Sequence, residues 1–194
     1  MTGKGGASMP DAVRRAVLDG LVMPRNSPAV ATVCPPAMRF ILRGGPEAAA
    51  RVGSAFGAAP PLEPLRSATE GQRSALWMGP DEWLLIAEDE AAGLGEALEV
   101  ALFDVPHALV DVSHRQCAIE LTGAGAARLL NAGCPLDLDL EAFAVGMAAR
   151  TLMLKAEITL WRREAERFRV EVARSFAPYL AAVLNAAARD QSLG

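Results

Sequence analysis

Asp111-Val112-Ser113-His114 holds, in one short run, the three side-chain types of a hydrolytic triad: an acid, a hydroxyl and an imidazole. The spacing argues against that chemistry. Alternate strand residues face opposite sides, so Asp111 and His114 diverge, whereas a working triad converges from separate parts of a fold. A hydrogen-bonding role at a strand end suits His114 better, and His107 has still less context. Gly44-Gly45 and Gly123-Ala124-Gly125 fall at strand-to-helix turns and invite a dinucleotide reading. That fingerprint needs a third glycine three residues on, where this chain has Arg128, so turn and cap roles are preferred. Asp137, Asp139 and Glu141 alternate as calcium ligands do, but the central glycine and the remaining ligands are missing, which leaves a solvated loop. Cys34, Cys117 and Cys134 form no CxxC and no Cys/His cluster, so structural zinc is not expected and reduced, buried thiols are. For Arg150, Arg174 and Trp161 two readings stay open: exposed, they are interface anchors; buried, Trp161 is core and the arginines are paired. No residue is assigned a catalytic, cofactor-binding or metal-binding role.

The elements that position these residues follow from periodicity. Pro10 to Leu18 reads as a short helix stopped by Gly20, after a Gly-rich, mobile stretch at residues 1–9. Pro24 to Pro36 is too proline-rich for a helix or a central strand and reads as an extended arm. Met38 to Arg43 alternates as a strand, Ala48 to Phe56 is helical with Gly57 as its stop, and residues 58–72 read as loop. Ser74–Met78 and Glu82–Ala87 form a hairpin about Gly79-Pro80-Asp81, and Leu94, Leu98 and Leu102 mark a helix stripe. A second cycle has strands at Ala108–Val112 and Gln116–Thr122. A helix capped by Thr122 and stopped by Gly133 follows, then strands at Ala148–Leu154 and Glu157–Trp161. The cycle closes with a turn over Arg162–Glu166, a strand at Arg167–Ala173 and a last helix capped by Ser175.

Leu76-Trp77 lines up with Leu160-Trp161, each followed by a turn, a strand and a helix. Ile41 onward (ILRGGPEAAARVGSAFG) echoes Ile119 onward (IELTGAGAARLLNAG). The expected fold class is α+β: two βαββα units, about 37–103 and 107–190, docked into one domain over 37–194. Its sheet is mostly antiparallel, with helices on one face. Residues 1–36 form a partly disordered or extended arm that wraps a neighbour, so deleting them is expected to weaken assembly but not folding.

Composition narrows the function. Nineteen Lys and Arg against 23 Asp and Glu give a net charge of −4 with no basic stripe, which excludes nucleic-acid binding. No secretory leader is expected at the N-terminus, and no apolar run approaches the roughly 18 residues of a membrane span, so a cytoplasmic protein is expected.

Three segments carry a family resemblance: LWMGPDEWLLIA (Leu76–Ala87), ALVDVSHRQCAIELTGAGAARLLNAGCPLDL (Ala108–Leu138) and RTLMLKAEITLWRREAERFRVEVARSFAPYL (Arg150–Leu180). They resemble the gamma subunit of heterotetrameric sarcosine oxidase. The Asp-Val-Ser-His stretch is also similar to the folate-binding domain of glycine-cleavage aminomethyltransferases. The resemblance implies that fold and a four-subunit flavoenzyme that oxidatively demethylates sarcosine to glycine, with hydrogen peroxide and a folate-bound one-carbon unit as the other products. It further implies alpha, beta and delta subunits as partners, which carry FAD, FMN, NAD and tetrahydrofolate, and a non-catalytic gamma chain. A counterpart of the aminomethyltransferase carboxylate is missing here. The corresponding subunit of N-methylglutamate dehydrogenase, a stand-alone folate-binding or aminomethyl-transferring protein, and an interaction domain of another assembly remain alternatives.

Overall fold

Apolar alternation becomes strand and the 3–4 spacing becomes helix along most of the chain. A computed structural model of the protein describes residues 17–18, 21–89 and 91–192. Its elements are β1 (Val30–Val33), β2 (Met38–Gly44), α1 (Pro46–Phe56), β3 (Ser67–Glu70), β4 (Arg73–Gly79), β5 (Glu82–Ala87) and α2 (Leu94–Ala101). There follow β6 (His107–Asp111), β7 (Gln116–Thr122), α3 (Ala126–Asn131), β8 (Ala148–Met153), β9 (Ala156–Glu164), β10 (Arg167–Ala173) and α4 (Ala177–Ser192). The expected first helix lies outside the described residues except for a turn at 17–18, as do the first nine residues.

Two antiparallel five-stranded sheets result, in the orders β3-β4-β5-β2-β6 (the first sheet) and β8-β9-β10-β7-β1 (the second). The orders match strand for strand, with one exchange. β1 lies just ahead of the first half yet pairs with β7 of the second, and β6 opens the second half yet pairs with β2 of the first. Each half thus gives its leading strand to the other's sheet edge. Residues 30–33 of the expected arm are hydrogen-bonded to β7, so deleting the arm would also remove an edge strand of the second sheet. Proline is tolerated around β1 because an edge strand leaves one row of backbone groups unpaired.

α1 and α2 cover the outer face of the first sheet over Phe40, Leu42, Trp83 and Leu85. α3 and α4 cover the outer face of the second over Ile119, Leu121, Phe168 and Val170. The inner faces meet at a smaller cluster of Leu76, Leu84, Ile86, Val112, Ala148 and Trp161. The halves also touch at a near-symmetric joint. Arg66 bridges Met147, Ser67 N–H donates to the Gly146 carbonyl (2.9 Å), and Ala148 N–H donates to the Leu65 carbonyl (2.9 Å). Leu65 and Gly146 occupy equivalent places, and both have positive φ (61° and 84°), a region where a leucine is strained and a glycine is not.

Strand register corrects the alignment of the two halves. Ala75 pairs with Leu85 and Leu160 with Val170, so Ala75 matches Leu160, Leu76 matches Trp161, and Trp77 matches Arg162. Trp77 packs on the helix side and Trp161 between the sheets, so the two tryptophans are not equivalent. A slip of one residue reverses the face of every side chain. Three boundaries also differ. β3 lies inside the expected loop over 58–72, Thr122 ends β7 without capping a helix, and Arg162 lies within β9 instead of in the hairpin turn.

Candidate functional site

The space between the inner faces holds the densest chemistry among the described residues. Glu171 of β10 is buried at its floor. Arg39 of β2 reaches across from the other sheet, with Nε donating to Oε2 at 2.7 Å and Nη2 to Oε1 at 3.3 Å. Arg169, two residues from Glu171 on the same face, donates from Nε to Oε1 at 2.7 Å and from Nη1 to Glu88. Burial opposes the charge on Arg169, but the neighbouring Glu171, Cys34 and Glu88 outweigh it and hold its pKa above the usual arginine value. Arg163 pairs with Glu88 (3.8 Å) and Glu120 (3.2 Å), which extends the alternation of cations and anions to the rim. A second latch joins the sheets at the opposite end, where Glu82 of β5 accepts from Arg150 of β8 and from Arg43 of β2 (2.8 Å from Nε). Burial raises the Glu82 pKa, but the two arginine bonds prevail and hold it below the usual carboxylate value.

Beside Glu171 lies a cleft of about 280 Å³, walled by Ile41, Met78 and Leu84 from the first sheet and by Thr159 and Glu171 from the second, with Arg115 and Arg150 near its opening. Its acids are committed to cations: Glu171 to two arginines, and Glu157 to Arg150 at 4.0 Å. The Thr159 hydroxyl faces the Met78 sulfur (3.7 Å). A general base needs an accessible lone pair of matched basicity, and Glu171 is saturated. The geometry clamps two sheets together and activates no nucleophile.

The residues singled out from sequence are placed elsewhere. Asp111 accepts from Ser113 N–H (2.8 Å), and the Ser113 oxygen accepts from Arg39 N–H (2.9 Å), so the run is a turn pinned to β2 and its hydroxyl does not serve His114. The Ser113 bond holds the Asp111 carboxyl below its usual range. His107 bonds the Val105 carbonyl (2.7 Å) and Glu99 (3.0 Å), and these two contacts raise its pKa. The Gly123–Gly125 turn is filled by the chain's own Pro28. Gly125 N–H donates to the Pro28 carbonyl (3.1 Å), and a Cβ on Gly125 would lie 2.5 Å from the Pro28 side chain. Pro106 repeats this before β6, where its carbonyl lies 3.3 Å from the Cβ position of Gly44. Asp137 and Asp139 accept backbone N–H bonds (2.9 Å each) within a loop wrapped around Arg162. Arg162 donates to the carbonyls of Leu138 (3.0 Å), Asp139 (3.2 Å) and Phe143, and stacks on Phe168. Among the described residues, no group of three or more His, Cys, Asp or Glu is disposed to hold a metal ion.

For the open pair of readings, Trp161 is buried between the sheets, Arg150 is paired with Glu82 while partly exposed, and Arg174 is exposed. The three cysteines are free thiols, and burial pushes Cys34 and Cys117 up. Sequence reasoning missed Arg39, Glu171 and Arg169. The available signal was charge on strand positions whose register partners in the other half, Leu84 and Ile86, are apolar.

A family model described as the sarcosine oxidase, gamma subunit family matches residues 43–190. The sarcosine oxidase subunit gamma of Corynebacterium sp. (strain P-1) is 40% identical over 89 residues, 46% of this chain and 43% of that protein. The sarcosine oxidase subunit gamma of an Arthrobacter species is 39% identical over 98 residues, 50% of this chain and 47% of that protein. The chain thus spans about half the length of the curated relatives it matches. In structure, it superposes on a chain of the heterotetrameric sarcosine oxidase from Corynebacterium sp. U-96 with a TM-score of 0.83 and 26% identity, covering 92% of this chain and 96% of that one. The glycine cleavage system aminomethyltransferase T from Bartonella henselae shares the fold, with a TM-score of 0.63 and 16% identity over 87% of this chain and 48% of that one.

Proposed function

Because the chain belongs to the sarcosine oxidase, gamma subunit family, we propose that it is a non-catalytic, structural subunit of a sarcosine oxidase-type complex. In this reading alpha, beta and delta subunits are its partners, and they carry the FAD, FMN, NAD and tetrahydrofolate used to demethylate sarcosine to glycine in the cytoplasm. The observation that carries the proposal is the family match over residues 43–190. The superposition on a chain of a heterotetrameric sarcosine oxidase and the arginine-saturated Glu171 support it. The exchange of edge strands supports treating both halves, together with the end of the arm, as one domain.

Co-expression with the three partner subunits and purification through a tag on one of them tests the reading. The chain is expected in the complex at fixed stoichiometry, and the isolated chain is expected to be free of flavin and inactive on sarcosine. Sarcosine turnover by the isolated chain would overturn it. Tight calorimetric binding of tetrahydrofolate by the isolated chain would favour a stand-alone folate-binding protein.

A further inference from the structure

The two sheets are covered unequally. On the second sheet, the chain leading into β1 packs Val17, Leu18, Leu21 and Met23 against the core and hydrogen-bonds α4 through Val22 N–H to the Asn185 amide oxygen (3.1 Å). On the first sheet no such segment leads into the equivalent edge strand, because α2 ends at Ala101 and β6 begins at His107. A groove of about 540 Å³ is left open between α2 and β6. Phe40, Val100 and Leu109 give it an apolar floor, and the carboxylates of Glu96, Glu99 and Asp111 rim it. Gly95 keeps the floor open, since a Cβ there would come within 3.3 Å of the Phe40 ring. Val100 and, one turn further, Phe103 are 77% and 89% exposed, the two highest values for large apolar side chains among the described residues. β6 is also a sheet edge, with no strand on its outer side among the described residues.

We propose that this groove is the docking site for a segment of one of the larger subunits. That segment carries apolar side chains flanked by Lys or Arg and takes the place on the first sheet that Val17, Leu18, Leu21 and Met23 take on the second. The inference rests on the subunit reading above and adds its contact surface. Apolar side chains fill the floor over Phe40, and basic residues meet the three carboxylates, which supply orientation and a faster encounter. The edge of β6 offers main-chain partners to an extended stretch.

The test co-expresses the full chain with its larger subunits and measures how much is retained by a tag on one of them. Val100→Asp/Phe103→Asp is expected to cut retention about tenfold or more, since buried apolar anchors dominate interfaces. Glu96→Lys, which leaves the apolar floor intact and guards against a folding defect, is expected to cut it about threefold, an effect that grows at low salt. Leu152→Asp, an equally simple change at an exposed apolar residue of β8, is expected to leave it unchanged. Retention of the double variant at wild-type stoichiometry overturns the docking site while leaving the subunit reading intact. Failure of the wild-type chain to be retained overturns the subunit reading and the assigned partner with it. An isolated chain that sediments as a dimer and is split by the double variant, with retention unchanged, makes a second copy the occupant and overturns the proposal.

Discussion

The two sheets share one plan, yet they line the space between them with opposite chemistry. Register matches Leu84 with Arg169 and Ile86 with Glu171, and Arg39 with Ala118. The first sheet presents an apolar surface with one arginine; the second presents an ion pair and Trp161. A duplicated module that packed both apolar faces together could slide, because dispersion and burial are indifferent to register. A carboxylate that must meet one arginine from the opposite sheet fixes the docking at one position, at some cost in stability. The difference teaches that the second half carries the specificity of the interface, and the first its hydrophobic surface.

The largest effect should come from breaking the exchange itself. Removing the chain up to Val33 takes away β1 and the buried Leu18 and Ala29 side chains of the second core, together with the contacts of Leu21 and Met23. Burial of large apolar side chains at roughly 1.5–3 kcal/mol each predicts a loss of more than about 5 kcal/mol, comparable with the whole stability of a domain. Circular dichroism and urea titration should show loss of cooperative unfolding. A truncated chain that melts like the full one would show the arm to be a surface strap and the halves to be independent of it.

The charged face is the next target. Glu171→Ala leaves Arg39 and Arg169, both almost fully buried, without their shared counterion, and is expected to cost about 3–5 kcal/mol in urea unfolding. The sharper experiment makes the second face resemble the first. Arg39→Met/Arg169→Leu/Glu171→Ile should restore stability to wild type or exceed it by about 1–4 kcal/mol, because desolvation of the ions disappears with them. A triple variant as unstable as Glu171→Ala would mean that the ions stabilise the interface and do not merely align it.

Legibility followed locality. The alternation of Met38–Arg43, Gln116–Thr122 and Arg167–Ala173, the Leu94–Leu98–Leu102 stripe and the Gly-Pro-Asp hairpin gave nearly every strand and helix, because each signal lies within a few residues. β1 and β3 were hidden for a physical reason: edge strands need little burial and tolerate proline and polar residues, so the pattern at Val30–Val33 and Ser67–Glu70 is faint. Their exchange was marked by Pro28 and Pro106, which stand at equivalent register positions ahead of β1 and β6, a signal that needs the register to be read. The Leu-Trp echo misled because identity of residue type outweighed the one-residue difference that decides which face Trp161 takes. The Arg39–Glu171 pair spans 132 positions, and nothing in local spacing joins those two residues.

The two strand-to-helix turns give a smaller test. Gly125→Ala places a methyl about 2.5 Å from Pro28, so the arm must shift, and a loss of about 1–3 kcal/mol is expected. In the first half Gly45 has nothing within 4 Å of its Cβ position and a negative φ of −79°, so Gly45→Ala should be neutral or stabilising by up to about 1 kcal/mol. Thermal melts of the two variants should therefore move apart. Equal shifts would mean that Pro28 does not press on the turn in solution.

The smallest effect belongs to Glu82, and its pH dependence makes it informative. Arg150 and Arg43 hold its pKa below the ordinary 4.5, so its contribution is fully present above that value and is lost as pH falls through the lower folded-state pKa. Both arginines are about half-exposed, so water competes for them, and Glu82→Gln should cost only about 1 kcal/mol at neutral pH. The stability curves of wild type and variant, measured by urea titration from neutral to acid pH, should run parallel above 4.5 and converge below it. Curves that stay parallel into acid would assign the cost of the substitution to packing. They would also leave the cluster of Arg39, Glu171, Arg169 and Glu88 as the main electrostatic latch between the sheets among the described residues, and the contrast between the two inner faces would then rest on that cluster.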